Sequence, residues 1–523
     1  MAKEDFDNLM PIGAYLRKQA FAQPDALAIE FPHQNMRLNY REWYEQSLSL
    51  ANALARVGVT KGDRVALLAE SRVEWLVVEM AAALSGAVFT PLNSHYGRDD
   101  LEYALKKSKA KILFCSESFR SHAYFEMASS LVEELPELST VVAFEYSTWG
   151  EFLSISADDA ELPQIVLDDP AMLLFTSGTT GFPKGALLSH KAVMWDALGG
   201  AERLGTSSAD RVTSIIPLFH CSGCVMNILG ALQKGASYIG VPAFNPPEMY
   251  RVIQENKCTM LSGVPTSFLA MLEHPERKKY DLSTLRAGTC GGADADPEIL
   301  RRCAAEFPMP GLVQVYGQTE VSTLSTCNAF DDPKRFTTAG PALYGVEVRI
   351  TNPISRELLP AGEVGQVETK GPTNMIGYDQ NPDATAETID DEGWLLSGDL
   401  GFVDEEGYLR ISGGRLKDLI IRGGENIYPV EIENVLRDHP KIEEIAVVAE
   451  NDRYYGEIVA AVIKAKETVA LEELAQFCNG KIAKFKIPAK LYSVEVFPMT
   501  ASGKIQKNKL RDMISNEQLA LLD

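Results

Sequence analysis

The chain has 523 residues, 46% hydrophobic and 23% charged, with 50 Lys and Arg against 72 Asp and Glu for a net charge of −22. That is the composition of a globular protein with a large core, and at roughly 100–200 residues per domain it predicts two to four domains. The acidic balance argues against a nucleic-acid coat or a general binder of anionic membranes. The longest apolar stretch, 75–89, carries Glu79 and is too short to span a bilayer, so no integral membrane segment is expected. The N-terminal MAKEDFDNLM lacks the basic and apolar regions of a signal peptide. Eight scattered cysteines make no disulfide framework, and a reducing cytoplasm is the expected location.

Residues 40–57 carry apolar positions at helical spacing, 64–68 read as a buried strand, 73–84 as a helix, 87–92 as a strand, 99–107 as a helix and 110–115 as a strand. Alternating elements of this kind predict a parallel sheet with helices on its faces. The alternation returns between 210 and 315, with strand candidates at 211–217, 236–241, 259–263, 285–289 and 312–316. Residues 336–378 differ: short β-rich runs at 346–350 and 364–370, broken by Gly and Pro, predict a small β-barrel-like subdomain. Near 413–418 glycines meet charges. Beyond, a helix at 429–437, strands at 444–448 and 459–464 and a helix at 471–482 predict a small α+β unit. The expected fold class is α/β, with a large N-terminal domain over 1–416 and a C-terminal domain over 417–523.

The sharpest local feature is Thr176-Ser177-Gly178-Thr179-Thr180-Gly181-Phe182-Pro183-Lys184-Gly185, after the apolar run 171–175. Glycines let backbone N–H groups turn inward around an anion, hydroxyls add donors and Lys adds charge, which suits a polyphosphate. The spacing is not that of a Walker A loop, and a polar surface turn has the same composition. Tyr316-Gly317-Gln318-Thr319-Glu320 follows a strand candidate, where α/β proteins bind ligands: an aromatic can stack on a base and a carboxylate can hold Mg²⁺. Asp399, in a Ser-Gly-Asp segment, could bond ribose hydroxyls, and Lys504 stands on a Gly-Ser loop near the end of the chain. Cys221-Ser-Gly-Cys224 has C-x-x-C spacing, but apart from His220 the sequence offers no matching ligands, so no zinc or redox role is expected.

In this order the segments resemble the adenylate-forming superfamily: acyl-CoA synthetases, peptide-synthetase adenylation domains and beetle luciferases. The resemblance spans essentially the whole chain and adds matches at Gly398-Asp399-Leu400, Gly414-Arg415-Leu416-Lys417-Asp418, Arg422-Gly423-Gly424-Glu425-Asn426-Ile427 and 498–504. It implies that Thr176, Ser177, Gly178, Thr179, Thr180 and Lys184 hold ATP phosphates, and that Gly291, Gly292, Ala293, Tyr316, Gly317 and Gln318 frame the nucleotide. Thr319 would contact the α-phosphate, Glu320 would ligate Mg²⁺, Asp399 would bond the ribose and Arg415 would add a ribose or phosphate contact. Lys504 would serve adenylation, and Lys417 would be the hinge of a mobile C-terminal domain. Gly423, Gly424 and Glu425 would line the tunnel for the thiol.

The implied reaction converts a carboxylic acid and ATP to acyl-adenylate and pyrophosphate, then transfers the acyl group to a thiol. Only 19 residues follow Lys504, so no fused carrier domain is expected and free coenzyme A is the favoured acceptor. The acyl pocket is expected to include Phe219, His220, Val264, Gly288, Gly317, Ser322 and Thr323, with His220 beside the substrate carboxylate. The segments 217–223, 264–268 and 280–285 look most like the medium-chain fatty acyl-CoA synthetase branch. Aryl or alicyclic acid–CoA ligases share much of the pattern, and an adenylation enzyme loading a separate carrier keeps every motif. A non-catalytic sensor of acyl-AMP would have lost Lys504 or Glu320, and both are present. The expected partners are small molecules, with a homodimer left open.

Overall fold

The computed structural model describes residues 3–155, 161–176, 183–293, 295–422, 425–479, 481–499 and 505–522, and the backbone alone at 413, 415, 417, 421, 425 and 426. Its contacts divide the chain into two units, Met1–Val348 with Thr369–Leu395, and Arg349–Glu368 with Leu396–Asp523.

The first unit is built on two sheets. One has eight strands in the order Thr326–Cys327, Gly311–Tyr316, Ala287–Cys290, Met260–Ser262, Arg211–Ser214, Ser237–Ile239, Leu27–Phe31, Met36–Asn39. All are parallel except the two outermost. The other has seven, in the order Gly377–Tyr378, Lys184–Ser189, Pro170–Thr176, Val88–Pro91, Arg64–Leu68, Ala110–Cys115, Thr140–Ala143. Its last five are parallel, and the first two are antiparallel to their neighbours.

Strand Arg64–Leu68 shows why such strands read as unbroken apolar runs. Val65 and Leu67 enter the largest core, while Ala66 and Leu68 enter a separate core on the opposite face. Both faces are covered, so a period of two has nothing polar to alternate with. The largest core joins both sheets through the helices Tyr40–Arg56, Val73–Ser85 and His190–Arg203, with Ile29 and Phe31 from one sheet, Phe89 and Ile112 from the other, and Trp43, Trp75 and Met194 from the helices. Helices Pro246–Asn256, Pro265–Glu273 and Pro297–Glu306 bury Met249, Phe268 and Leu300 in a second core with Ile239, Leu261 and Leu312 of the eight-stranded sheet. Helix Arg98–Ser108 contributes Leu101 and Leu105 to the core containing Ala66.

Local chemistry sets the helix ends. Asn39 Oδ1 accepts from the Glu42 amide at 2.8 Å while Glu42 Oε2 accepts from the Asn39 amide at 2.9 Å, a reciprocal cap. Ser189 Oγ accepts from the Ala192 amide at 3.1 Å, so strand Lys184–Ser189 runs straight into helix His190–Arg203. Each such cap contributes about 1 kcal/mol. Helix Val73–Ser85 stops at Gly86, whose φ of 75° suits a residue without Cβ.

In the second unit, Tyr408–Arg415, Leu395–Val403, Gly365–Lys370 and Glu347–Thr351 lie side by side in one sheet. Glu368 is fully buried there and accepts from Arg349 Nε at 2.8 Å and Thr351 Oγ1 at 2.7 Å, with an Arg356 ion pair at 3.1 Å. The β-rich block predicted at 336–378 is therefore divided: Gly365–Lys370 lies between Glu347–Thr351 and Leu395–Val403, and Gly377–Tyr378 pairs with Lys184–Ser189. The C-terminal sheet centres on the hairpin of Ile442–Asp452 and Gly456–Ala465. Helices Pro429–Arg437 and Leu471–Cys478 pack on one face through Ile432, Leu436 and Leu474, and Lys507–Ser515 packs on the other through Leu510 and Ile514. The predicted α/β and α+β classes stand. Strands 64–68 and 110–115 and helix 429–437 also fall where predicted. The hairpin strands outrun 444–448 and 459–464 because ladder pairing continues past their apolar centres, and the helix predicted to 482 ends at Cys478.

His190 sits fully buried at the start of its helix. Its Nδ1 accepts from the Ile12 amide at 3.4 Å, and its Nε2 has no hydrogen-bond partner among the described residues. Burial pushes its pKa down to about 4, against the opposing pull of Asp169. The unfolded chain binds a proton near pH 6.5, so stability is fully present above that pH and falls as the pH drops toward 4. This group is expected to remove about 3 kcal/mol across that window. His190→Gln keeps an acceptor for Ile12 and loses that titration. Denaturation midpoints followed from pH 7 to pH 4 are expected to converge for the two proteins, and parallel curves would refute the assignment.

Candidate active site

Loops from the carboxyl ends of both parallel sheets meet in the first unit. From the seven-stranded sheet, the loop after Arg64–Leu68 brings Ser71, whose hydroxyl accepts from the Leu218 amide at 3.4 Å. The loop after Val88–Pro91 brings His95, its ring edge-on to Phe219 at 6.4 Å between centroids. From the eight-stranded sheet, the segment after Arg211–Ser214 carries Phe219 and His220, both half-buried, and then winds into a π-helix over Ser222–Leu229. Gly223 lets that helix start against the preceding turn: a Cβ there would stand 2.3 Å from the Pro217 carbonyl oxygen. Such wide turns are uncommon and concentrate at functional sites.

The segment after Gly311–Tyr316 folds back on itself. The Ser325 amide donates to the Tyr316 carbonyl at 2.9 Å, and Gly317 lies so close to the returning chain that a Cβ would meet the Thr323 carbonyl oxygen at 2.0 Å. Gln318 is extended, Thr319–Val321 form a 3₁₀ turn, and Ser322 takes a φ of 69°. Ser322 is buried and donates to the Thr373 carbonyl at 2.9 Å; Thr323 is buried beside it. Asp196, fully buried in helix His190–Arg203, accepts from the Leu324 amide at 2.6 Å. Burial raises its carboxyl well above the usual range, and its hydrogen bond from the Leu324 amide anchors this loop.

These two segments touch. Cys221 Sγ lies 3.7 Å from His220 Nδ1 and 3.8 Å from Thr319 Oγ1. All eight cysteines are buried and free, and burial raises the Cys221 and Cys224 thiols, so neither is a ready thiolate. Val264 is half-buried ahead of helix Pro265–Glu273. Gly288 is buried within strand Ala287–Cys290, where a Cβ would stand 1.9 Å from the Leu261 carbonyl oxygen. Gly291 packs against Val315, Gly292 has a φ of 79°, and Ala293 is exposed.

The phosphate-loop candidate joins two paired strands. Thr176 lies opposite Lys184 in the ladder and its hydroxyl donates to the Lys184 carbonyl at 3.3 Å. Ser177, Gly178, Thr179 and Thr180 lie outside the described residues, as do Gly423, Gly424 and Lys504. Beside the hairpin is a pocket of about 160 Å³ whose wall includes Tyr103, Lys107, Lys184 and Tyr378. Tyr378 was not anticipated from the sequence. Its hydroxyl donates to Glu320 Oε1 at 2.7 Å, and its ring centroid is 4.9 Å from Lys184 Nζ. Glu320 is half-buried and is the one carboxylate in the Thr319–Val321 turn, which fits a cation that takes its other ligands from phosphate oxygens and water. In the second unit Asp399 pairs along the backbone with Arg415, and its amide donates to Ser397 Oγ at 3.0 Å. Lys417 lies in the turn Leu416–Asp418, and Glu425 pairs along the backbone with Arg422.

The AMP-binding enzyme family matches residues 16–379, and the AMP-binding enzyme C-terminal domain matches 431–504. The chain belongs to the AMP-binding enzyme family. Among its relatives, YngI of Bacillus subtilis (strain 168), named as a candidate acyl-CoA synthetase, is 39% identical over 96% of each chain. The mitochondrial medium-chain acyl-CoA ligase ACSF2 of Mus musculus is 33% identical over 96% of this chain and 87% of its own. The crystal structure of ATP-bound MatB from Rhodopseudomonas palustris superposes with a TM-score of 0.88 at 30% identity, covering 97% of this chain and all of that one. The enzyme is an AMP-forming acid–CoA ligase that uses ATP and coenzyme A as substrates. Among the described residues no helix is long and apolar enough to cross a membrane.

Gly317→Ala tests the folded-back loop. The added methyl meets backbone and cannot be relieved by a rotamer change, so a cost of about 1–3 kcal/mol is expected together with loss of ATP-dependent pyrophosphate release. Gly150→Ala, on helix Ser147–Ser154 with open space around it, is the control and is expected to leave both unchanged or slightly raise stability. Denaturation midpoints and a pyrophosphate assay read the two variants.

Proposed function

We propose that the enzyme activates neutral, apolar monocarboxylates of medium chain length. In the first half-reaction a carboxylate oxygen attacks the α-phosphorus of ATP, the bond to the β-phosphate breaks and pyrophosphate leaves. In the second, the thiol sulfur of coenzyme A attacks the acyl carbon, the bond to AMP breaks and the thiol proton is lost. The observation that carries this reading is the contact of Cys221 with Thr319 at 3.8 Å, because it joins the segment holding His220 to the segment expected at the α-phosphate. The acid's carboxylate would then sit between His220 and Thr319, with Phe219, Val264, Gly288, Gly317, Ser322 and Thr323 around its chain. The medium-chain name of a relative covering nearly the whole sequence supports the acyl class.

Two anions must meet in the first step. Lys184, Thr176, Ser177, Gly178, Thr179 and Thr180 would hold the phosphates, Gly291, Gly292, Ala293 and Tyr316 would frame the base, and Gly317 and Gln318 would add to the nucleotide site. Asp399 and Arg415 would hold the ribose. Glu320 would hold a magnesium ion, whose charge offsets that of the phosphates, and Lys504 would meet the charge that develops in the transition state. Alignment and electrostatics suffice, with no covalent step on the protein. A turn of residues 417–523 about Lys417 would exchange Lys504 for the loop of Gly423, Gly424 and Glu425, where a bare backbone admits the pantetheine arm. The free cysteines and acidic charge support a cytoplasmic location.

Lys504→Ala tests the division of labour. Pyrophosphate release is expected to fall by about 10²–10³, the loss typical of one preorganised electrostatic donor. Acyl-CoA formation from supplied acyl-AMP is expected to stay near wild type, and equal losses in both would overturn the assignment. A panel of acids tests the substrate class. At about 0.8 kcal/mol per buried CH₂, kcat/KM is expected to climb roughly fourfold per carbon until the pocket is full, leaving acetate poor and a dicarboxylate below its monoacid. Preference for benzoate-type acids over the best alkanoate would assign an aryl ligase instead.

A further inference from the structure

Tyr378 lies 58 residues from Glu320 in sequence and belongs to neither the phosphate loop nor the turn that carries the acid. Its backbone is nevertheless pinned from several sides. Tyr378 pairs with Ala186 and Gly377 with Leu187 on the edge of the strand that begins at Lys184. The Tyr378 amide donates to Thr385 Oγ1 at 2.9 Å. The next residue, Asp379, donates its amide to the Gly185 carbonyl at 2.8 Å and forms an ion pair with Arg64 at 2.7 Å, with the Asp379 side chain 7% exposed. From this fixed position one aromatic side chain meets both charges of the site. The hydroxyl donates to Glu320 Oε1 at 2.7 Å, and Lys184 Nζ stands 4.9 Å from the ring centroid.

We propose that Tyr378 is a positioning residue that sets the Glu320 carboxylate for its cation and steers the Lys184 ammonium through its ring. The inference rests on the reading of Glu320 as the magnesium ligand. A glutamate carboxylate on three side-chain torsions loses rotamer entropy when it takes a cation. A donated hydrogen bond to Oε1 fixes the carboxylate plane in advance and presents Oε2 in one direction, as outer hydrogen bonds do for metal-ligating groups. The ring acts differently: its negative face attracts the ammonium without neutralising it, and Lys184 keeps its charge for an arriving phosphate.

The two contacts separate by substitution in the full-length enzyme. Tyr378→Phe removes the hydroxyl and keeps the ring. The magnesium concentration giving half-maximal pyrophosphate release is expected to rise about tenfold, the scale of one hydrogen bond to a charged group. With saturating magnesium, kcat is expected to recover to within about twofold, and acyl-CoA formation from supplied acyl-AMP to stay unchanged. Tyr378→Leu removes the ring as well and is expected to add a rise of about two- to fivefold in the KM for ATP. Melting temperatures of both variants are read alongside. A Tyr378→Phe enzyme with wild-type magnesium dependence overturns the proposal. So does a uniform fall in kcat or melting temperature with no magnesium shift, because that is what a purely structural side chain produces. Glu320→Gln separates the two readings. If it raises the magnesium requirement while Tyr378→Phe does not, the positioning role fails and Glu320 keeps its own; if Glu320→Gln leaves magnesium dependence unchanged, the ligand reading fails and takes the positioning role with it.

Discussion

Parallel strands cannot be joined by tight turns, and much of the first unit follows from that constraint. Each strand must be followed by a crossover long enough to return to the starting edge, and a helix is the compact way to make one. The crossovers cover both faces of each sheet, so every central strand is buried on two sides. Helices Tyr40–Arg56, Val73–Ser85 and His190–Arg203 share one core with both sheets. Because the strands of a parallel sheet all end on the same side, the loops that carry Ser71, His95, His220 and Thr319 are brought together without any one of them having to be long. The site is assembled from residues distant in sequence because the rule that builds the sheet also gathers its ends.

Three fully buried ionisable groups in this layer are pushed toward their neutral forms. Glu79 is fully buried in helix Val73–Ser85, neither oxygen has a hydrogen-bond partner, and burial raises its carboxyl well above the usual range. Asp196 is raised and His190 lowered for the same reason. At the site the charged groups Lys184 and Glu320 are partly exposed. A chain with a net charge of −22 must attract polyanionic substrates by local arrangement.

The legible parts of the sequence were those where one physical signal dominated. Strands 64–68 and 110–115 carry unbroken apolar runs after Arg64 and Lys111, and helix 429–437 opens on Pro429 with a clean amphipathic repeat. The site segments were legible because their chemistry is concentrated in a few consecutive residues. Tyr378 was not, since a two-residue strand has no periodicity and its partners come from two distant segments. His95 was equally hidden, since it falls between the predicted elements at 87–92 and 99–107 and only its ring against Phe219 marks it. The division of residues 336–378 escaped because composition marks a stretch as β-rich but says nothing of which sheet takes each strand.

The π-helix over Ser222–Leu229 has a consequence for how this enzyme could change over evolutionary time. Each π turn holds one residue more than an α turn in the same axial length, so the segment stores slack. Loss of a single residue there would let the helix tighten toward α geometry while its buried C-terminal end, from Val225 to Leu229, stays seated in the core. The early residues, Ser222 and Gly223, would turn by roughly 100° about the axis relative to that anchored end. One deletion would therefore present a different set of side chains beside His220 while the buried end of the helix keeps its place in the core.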